Sequence, residues 1–168
     1  MSERDLTKKL SELFKRSLPM SPLSHYDDVV VLNFGTYWVG LKIDGFAAFN
    51  SKYPWTSWSD WGWKAVTACL SDLVTKGLKP LMVSYSVGSL DPSVIEDIAR
   101  GILEAIDYYG LYFGGADTNK AQQDTWIDIA CIGVSDILPI PRNKCDVGDE
   151  VLATGLYGLQ GIAIYSHY

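Results

Sequence analysis

Val29-Val-Val-Leu-Asn-Phe-Gly-Thr-Tyr-Trp-Val-Gly-Leu-Lys-Ile43 is the stretch whose reading decides the fold. It is dense in β-branched and aromatic residues, which pack well on a pleated surface, and Gly35 interrupts it near the middle. The spacing predicts a β-hairpin, with one strand at Val29–Phe34 and the other at about Tyr37–Ile43. Partners in an antiparallel pair have residue numbers that sum to a constant. A two-residue turn therefore sets Asp27 opposite Asp44, and a three-residue loop sets Asp28 there instead. Either register places two carboxylates side by side, at a cost of up to ~1 kcal/mol that a bound cation would reverse. Hard oxygen ligands of this kind suit Mg²⁺, which takes one or two carboxylates and completes its shell with water and phosphate.

Beyond the hairpin, the run from Gly45 to Trp61 carries Gly, Asn, Pro, Ser and tryptophans without a clear period and reads as a long loop. Val66, Cys69, Leu70, Leu73 and Val74 then share one helical face, with Asp72 on its flank and Lys76-Gly77 and Pro80 as the stop. Leu81–Val87 is a short apolar strand. Asp91-Pro92-Ser93 opens a second helix, whose Ile95, Ile98, Ile102 and Ile106 keep helical spacing up to Gly110. Further strands are expected at Leu111–Phe113, Trp126–Val134 and Val151–Thr154, and a strand-to-helix turn with a helix beginning after Gly155. Upstream, Leu6, Leu10, Leu13 and Phe14 recur among lysines and arginine as an amphipathic helix, expected to pack on its own domain, and Leu18-Pro-Met-Ser-Pro-Leu-Ser reads as a connector. The early hairpin and the late strands make the fold class α+β: a mixed, largely antiparallel four-stranded sheet with helices on one face.

The 168 residues carry a formal charge of −6, so the clustered Lys and Arg that a nucleic-acid surface needs are missing. An acidic chain binds phosphates only with help from metal ions or backbone N–H groups. Cys69, Cys131 and Cys145 are odd in number and contain no CxxC pair, which predicts neither a disulfide framework nor a zinc site and fits a reduced, cytoplasmic protein. Neither an export signal nor a membrane span is visible.

Phe113-Gly-Gly-Ala-Asp117-Thr-Asn follows a short apolar strand, and its glycines would let backbone N–H groups approach a phosphate while the acid ligates a bridging metal. A strand-ending turn with an Asx-type hydrogen bond is the alternative reading. The segment is not a P-loop, since no Gly-Lys-Ser/Thr follows, and it lacks the dinucleotide fingerprint.

Together, Tyr26-Asp-Asp-Val-Val-Val-Leu, Ile43-Asp-Gly, the helix motif running from Gly62 through Leu70-Ser-Asp-Leu to Pro80, Gly114-Gly-Ala-Asp-Thr and Arg142-Asn-Lys-Cys-Asp-Val-Gly-Asp resemble thiamine-monophosphate kinase. This is one branch of the superfamily of aminoimidazole ribonucleotide synthetase. The resemblance implies ATP and Mg²⁺ as co-substrate and cofactor and phosphoryl transfer to thiamine monophosphate. It assigns metal binding to Asp28, Asp44, Asp72 and Asp117, and nucleotide contact to Gly114, Gly115, Asp117 and Arg142. Asn50 and Ser51 stand near the place of a substrate-contacting His. It also implies a homodimer paired through the sheets, and a second, carboxy-terminal domain that completes the site. Residues 1–25 would then be an accessory helix and connector, 26–155 the ATP- and metal-binding domain, and 156–168 the start of the missing domain. Where the family has Thr-Asp or Ser-Thr-Asp before its second metal site, this chain has Lys42-Ile-Asp44. Two other readings remain: ATP-dependent activation of another small molecule, as in the synthetase branch, and a non-catalytic dimerisation or nucleotide-binding module.

Overall fold

The structure, a computed structural model, describes residues 1–14, 21, 23 and 27–167, apart from the side chain of Arg4. The predicted connector therefore lies largely outside the described residues. The hairpin forms as β1 (Val30–Phe34) and β2 (Tyr37–Ala47), closed by a two-residue turn with Gly35 at a positive φ and Phe34 opposite Tyr37. Pairing stops at Val30 and Leu41, so Asp27 never comes to lie in the ladder opposite Asp44.

The sheet has five strands rather than four, in the order β1-β2-β5-β3-β4, with β3 at Lys79–Ser89, β4 at Tyr112–Lys120 and β5 at Trp126–Ser135. Every neighbouring pair is antiparallel except β3 and β4, which are parallel, so the sheet is mixed. A parallel pair needs a crossover, and a helix between β3 and β4 supplies it. No strand forms over 151–154, where Val151 and Leu152 are exposed.

The long loop predicted after Ile43 is mostly regular. β2 continues to Ala47, a single helical turn α2 (Ala48–Ser51) follows, and the long helix α3 (Trp58–Thr75) starts earlier than the apolar period suggests. Ser57 opens α3 with a capping box: its hydroxyl accepts from the Asp60 N–H, and the Asp60 carboxylate accepts from the Ser57 N–H. The tryptophans hide this signal, because Trp58, Trp61 and Trp63 point to different surroundings. Trp61 is core, Trp58 meets its edge, and Trp63 packs on Tyr108 and Tyr109.

Helix α4 (Pro92–Tyr109) follows the local chemistry, with Asp91 as N-cap accepting from the Ser93 N–H and Gly110 as its left-handed C-cap. α3 packs on β2, β5 and β3, and α4 lies chiefly along α3. One core joins Trp61, Val66, Leu70 and Leu73 of α3 to Ile98, Ile102 and Ile106 of α4 and to Val31, Val83, Val87, Ile127 and Ile129 of the sheet. Close helix contact requires Gly101, where an added Cβ would stand 1.8 Å from the Ser59 carbonyl oxygen.

Beneath α3, Cys69 and Cys131 form a disulfide, both fully buried, leaving Cys145 as the free, exposed cysteine. An odd count and distant positions predict no such pair; the fold brings together two residues 62 apart because Cys69 lies on the inner face of α3 and Cys131 on the inner face of β5. At the amino terminus, α1 (Glu3–Phe14) forms as expected, yet Leu6, Leu10, Leu13 and Phe14 are exposed rather than packed on the domain. The last element is α5 (Leu159–Tyr165), and no helix among the described residues is long and apolar enough to cross a membrane.

Candidate functional site

Alternation along β2 sets the stage. Lys42 and Asp44 lie opposite the buried residues Cys131 and Ile129 of β5, on the sheet face that α3 covers, while Leu41 and Ile43 point to the other face and are exposed. From α3, Asp72 reaches down to the same place. Lys42 bridges the two acids, its Nζ 2.9 Å from Asp44 Oδ1 and 2.6 Å from Asp72 Oδ2. The lysine side chain is 12% exposed. Burial opposes its charge, but the two carboxylates outweigh that and hold the ammonium above the ordinary lysine range.

Asp28 is held elsewhere, in an ion pair with the Arg142 guanidinium. The Arg142 backbone N–H donates to the neighbouring Asp27 at 3.0 Å. Asp27 in turn forms a buried ion pair with Lys76 just past the end of α3; the Asp27 side chain is 1% exposed. Burial pushes the Asp27 carboxyl up, but bonds from Lys76, from the Arg142 N–H and from the Asp28 N–H, with the Lys76 charge, hold it below the usual carboxylate range. Sequence reasoning places Asp27 only as a possible facing partner of Asp44. Its role as an anchor depends on Lys76, which the sequence marks only as part of a helix stop.

The Gly-Gly-Ala-Asp segment is part of β4 rather than a loop. Phe113 pairs with Val83 and Gly115 with Ser84, so Gly114 is an extra residue accommodated as a bulge. Gly115 has φ 123°, a conformation open to glycine and strained for other residues. Downstream, Asp117 lies beside Ser86, and Asp128 of β5 flanks Ser86 from the other side. Asn119 donates to Asp117 Oδ2 at 2.8 Å. Ser86 and Asp128 lie on the face away from α3, since Asp128 is also paired with Gly45, next to inward-facing Asp44. Asp117 therefore sits across the sheet from the Lys42 cluster.

Asn50 and Ser51 end α2. Asn50 is exposed, whereas the Ser51 hydroxyl accepts from Trp61 Nε1 at 3.0 Å and donates to the Ala47 carbonyl at 2.8 Å, tying α2 to α3. An open apolar groove of about 470 Å³, lined by Thr67, Leu70, Val74, Pro80, Tyr109 and Leu111 among others, includes none of the predicted acids.

The fold thus joins Asp44 to Asp72 through Lys42 and Asp28 to Arg142, and leaves Asp117 apart. Among the described residues no group of three His, Cys, Asp or Glu side chains stands close enough to hold a metal ion. The four-aspartate magnesium site implied by the resemblance does not fit this arrangement, because cationic side chains already occupy three of its members.

A mixed five-stranded sheet with two long helices on one face, and with Leu41, Ile43 and Tyr112 exposed on the other, makes this an α+β domain. Residues 26–135 match the family described as AIR synthase related protein, N-terminal domain, and the chain belongs to that family. Its curated relatives include thiamine-monophosphate kinases from Pyrobaculum calidifontis, 31% identical over 93 residues and covering 55% of this chain and 31% of the relative, and from Archaeoglobus fulgidus, 27% identical over 159 residues and covering 94% and 52%. The chain spans about a third to a half of the length of these two relatives. Among solved structures, tt0281 from Thermus thermophilus is similar at TM-score 0.77 with 25% identity, over 86% of this chain and 47% of that one. AaThiL complexed with AMPPCP and TMP shares the fold at TM-score 0.68 with 21% identity, over 82% and 45%.

Proposed function

We propose that this chain supplies the amino-terminal half of an ATP-dependent kinase acting on thiamine monophosphate or a related small phosphorylated substrate. The observation that carries the reading is the continuous family match over residues 26–135 together with relatives that are thiamine-monophosphate kinases. In this reading the β4 bulge at Gly114-Gly115 offers backbone N–H groups to the ATP phosphates, next to Asp117. The exposed Arg142 guanidinium, 61% exposed, adds a planar donor fork suited to phosphate. Asn50 contributes a polar side chain for the substrate from the end of α2. The bond between the γ-phosphorus and its bridging oxygen breaks while a terminal phosphate oxygen of the acceptor attacks. Positioning and charge stabilisation supply the catalysis and no protein nucleophile is needed. Magnesium dependence is not carried into this proposal, since the acids do not form its ligand set.

The kinase reading includes a second, carboxy-terminal domain of which residues 156–168 are the start; exposed Leu156 and Tyr157 are consistent with a covering partner. It also includes a homodimer formed through the sheet face away from α3, where Leu32, Phe34, Leu41, Ile43 and Tyr112 are exposed apolar residues. A non-catalytic dimerisation or nucleotide-binding module is the second reading, favoured by the cationic partners of Asp28, Asp44 and Asp72.

Turnover tests the proposal. A chimera in which this chain replaces the amino-terminal half of the Archaeoglobus fulgidus kinase should form thiamine diphosphate from ATP and thiamine monophosphate. A folded, dimeric chimera with no product would support the module instead.

A further inference from the structure

We propose that Lys42 is a tethered cation that occupies the Asp44–Asp72 pair and keeps divalent metal ions out of it. The inference goes beyond the kinase reading and does not depend on it, since it concerns which cation these two carboxylates hold. Two carboxylates from different elements, β2 and α3, converge on one point, and that point is filled by the Lys42 ammonium at 2.9 and 2.6 Å. Both distances are those of charge-assisted hydrogen bonds. The lysine is fixed in the strand two residues before Asp44, so its stem runs along the same sheet face and cannot leave without carrying the charge out of a largely covered site. The side chains of Asp44 and Asp72 are 26% and 29% exposed, open enough for a cation to enter from solvent were the ammonium absent.

The chemistry of the set points the same way. Mg²⁺ and Mn²⁺ demand oxygen ligands in near-octahedral geometry, and an ammonium has no lone pair to offer as a ligand. With Lys42 in place the trio carries one net negative charge, and a divalent ion bound to the same carboxylate oxygens would sit against a positive group. Lys42 thus puts a covalently attached cation where an exchangeable ion would otherwise bind. Among the described residues no third acid joins the pair: Asp28 is held by Arg142, and Asp117 lies across the sheet.

The experiment is Mn²⁺ titration of the full chain, without nucleotide, followed by loss of the free-Mn²⁺ electron paramagnetic resonance signal and by paramagnetic broadening of backbone amide resonances. In the wild-type chain the amides of Asp44 and Asp72 should stay sharp. Lys42→Met should create a site that broadens both, with affinity about tenfold or more above wild type, and adding Asp72→Asn should abolish it. Lys42→Thr provides the same readout if the methionine variant does not fold. Selective broadening at Asp44 and Asp72 in the wild type would overturn the proposal, and this measurement requires no variant to fold; a folded Lys42→Met that gains no broadening there would overturn it as well. Failure of the kinase reading would leave these results untouched, because no step involves ATP.

Discussion

Replacing Asp27 with Asn probes the anchor that joins the hairpin to the end of α3. The wild-type carboxylate is 1% exposed and is paired with Lys76, whose side chain is 6% exposed. Removing one member of a buried pair leaves the other charge uncompensated, at a cost of about 3–5 kcal/mol. For a urea slope of about 2–3 kcal/mol/M, the unfolding midpoint should fall by roughly 1–2.5 M. Six tryptophans, among them buried Trp61, supply a fluorescence signal. The pH dependence has a fixed sign. The Asp27 carboxyl titrates below its usual range when folded, so its contribution is fully present above the unfolded value of about 3.9 and is lost as pH falls through the lower folded value. The gap between wild type and variant should therefore be constant near neutrality and close below about pH 4. A double replacement, Asp27→Asn with Lys76→Met, should recover part of the loss, because it removes the orphaned ammonium as well. A midpoint shift below about 0.3 M at pH 7, or a gap that persists unchanged into acid, would refute the reasoning.

Gly101→Ala should lower the melting temperature by roughly 3–10 °C in calorimetry, since its Cβ would stand 1.8 Å from the Ser59 carbonyl oxygen and overpacking of this kind costs about 1–3 kcal/mol. Thiol titration in denaturant should find one reactive cysteine, Cys145, before reduction and three after it, because Cys69 and Cys131 are paired; three before reduction would show that the pair is not formed. Unfolding monitored at alkaline pH should show stability decreasing as Lys42 loses its proton above the ordinary lysine range, a component missing from Lys42→Met.

What could be read from the sequence was governed by local chemistry. Asp91-Pro92 and Gly110 mark the ends of α4, and Gly35 marks the hairpin turn, because caps and turns depend on adjacent residues. The start of α3 is legible in principle from Ser57 and Asp60, which form the capping box, but the tryptophans interrupt the apolar period there. The extent of β4 was not legible, because Gly114-Gly115 signals a turn locally while the ladder with β3 carries the chain through a bulge. The site fared similarly. Each acid could be named from its motif, yet what each acid holds is a tertiary fact: Lys42 lies two residues from Asp44 but 30 from Asp72, and Arg142 is 114 residues from Asp28. Cys69 and Cys131 show the same limit, since no spacing rule joins residues that meet only when α3 is laid on β5.

The measurement that tests the central claim most directly is a titration of the isotopically labelled chain with AMPPCP, a non-hydrolysable ATP analogue, followed by backbone amide shifts. The account predicts saturable shifts centred on Gly114, Gly115 and Asp117 and on Arg142. No saturable shift, or shifts confined to the apolar groove around Leu70 and Tyr109, would contradict it.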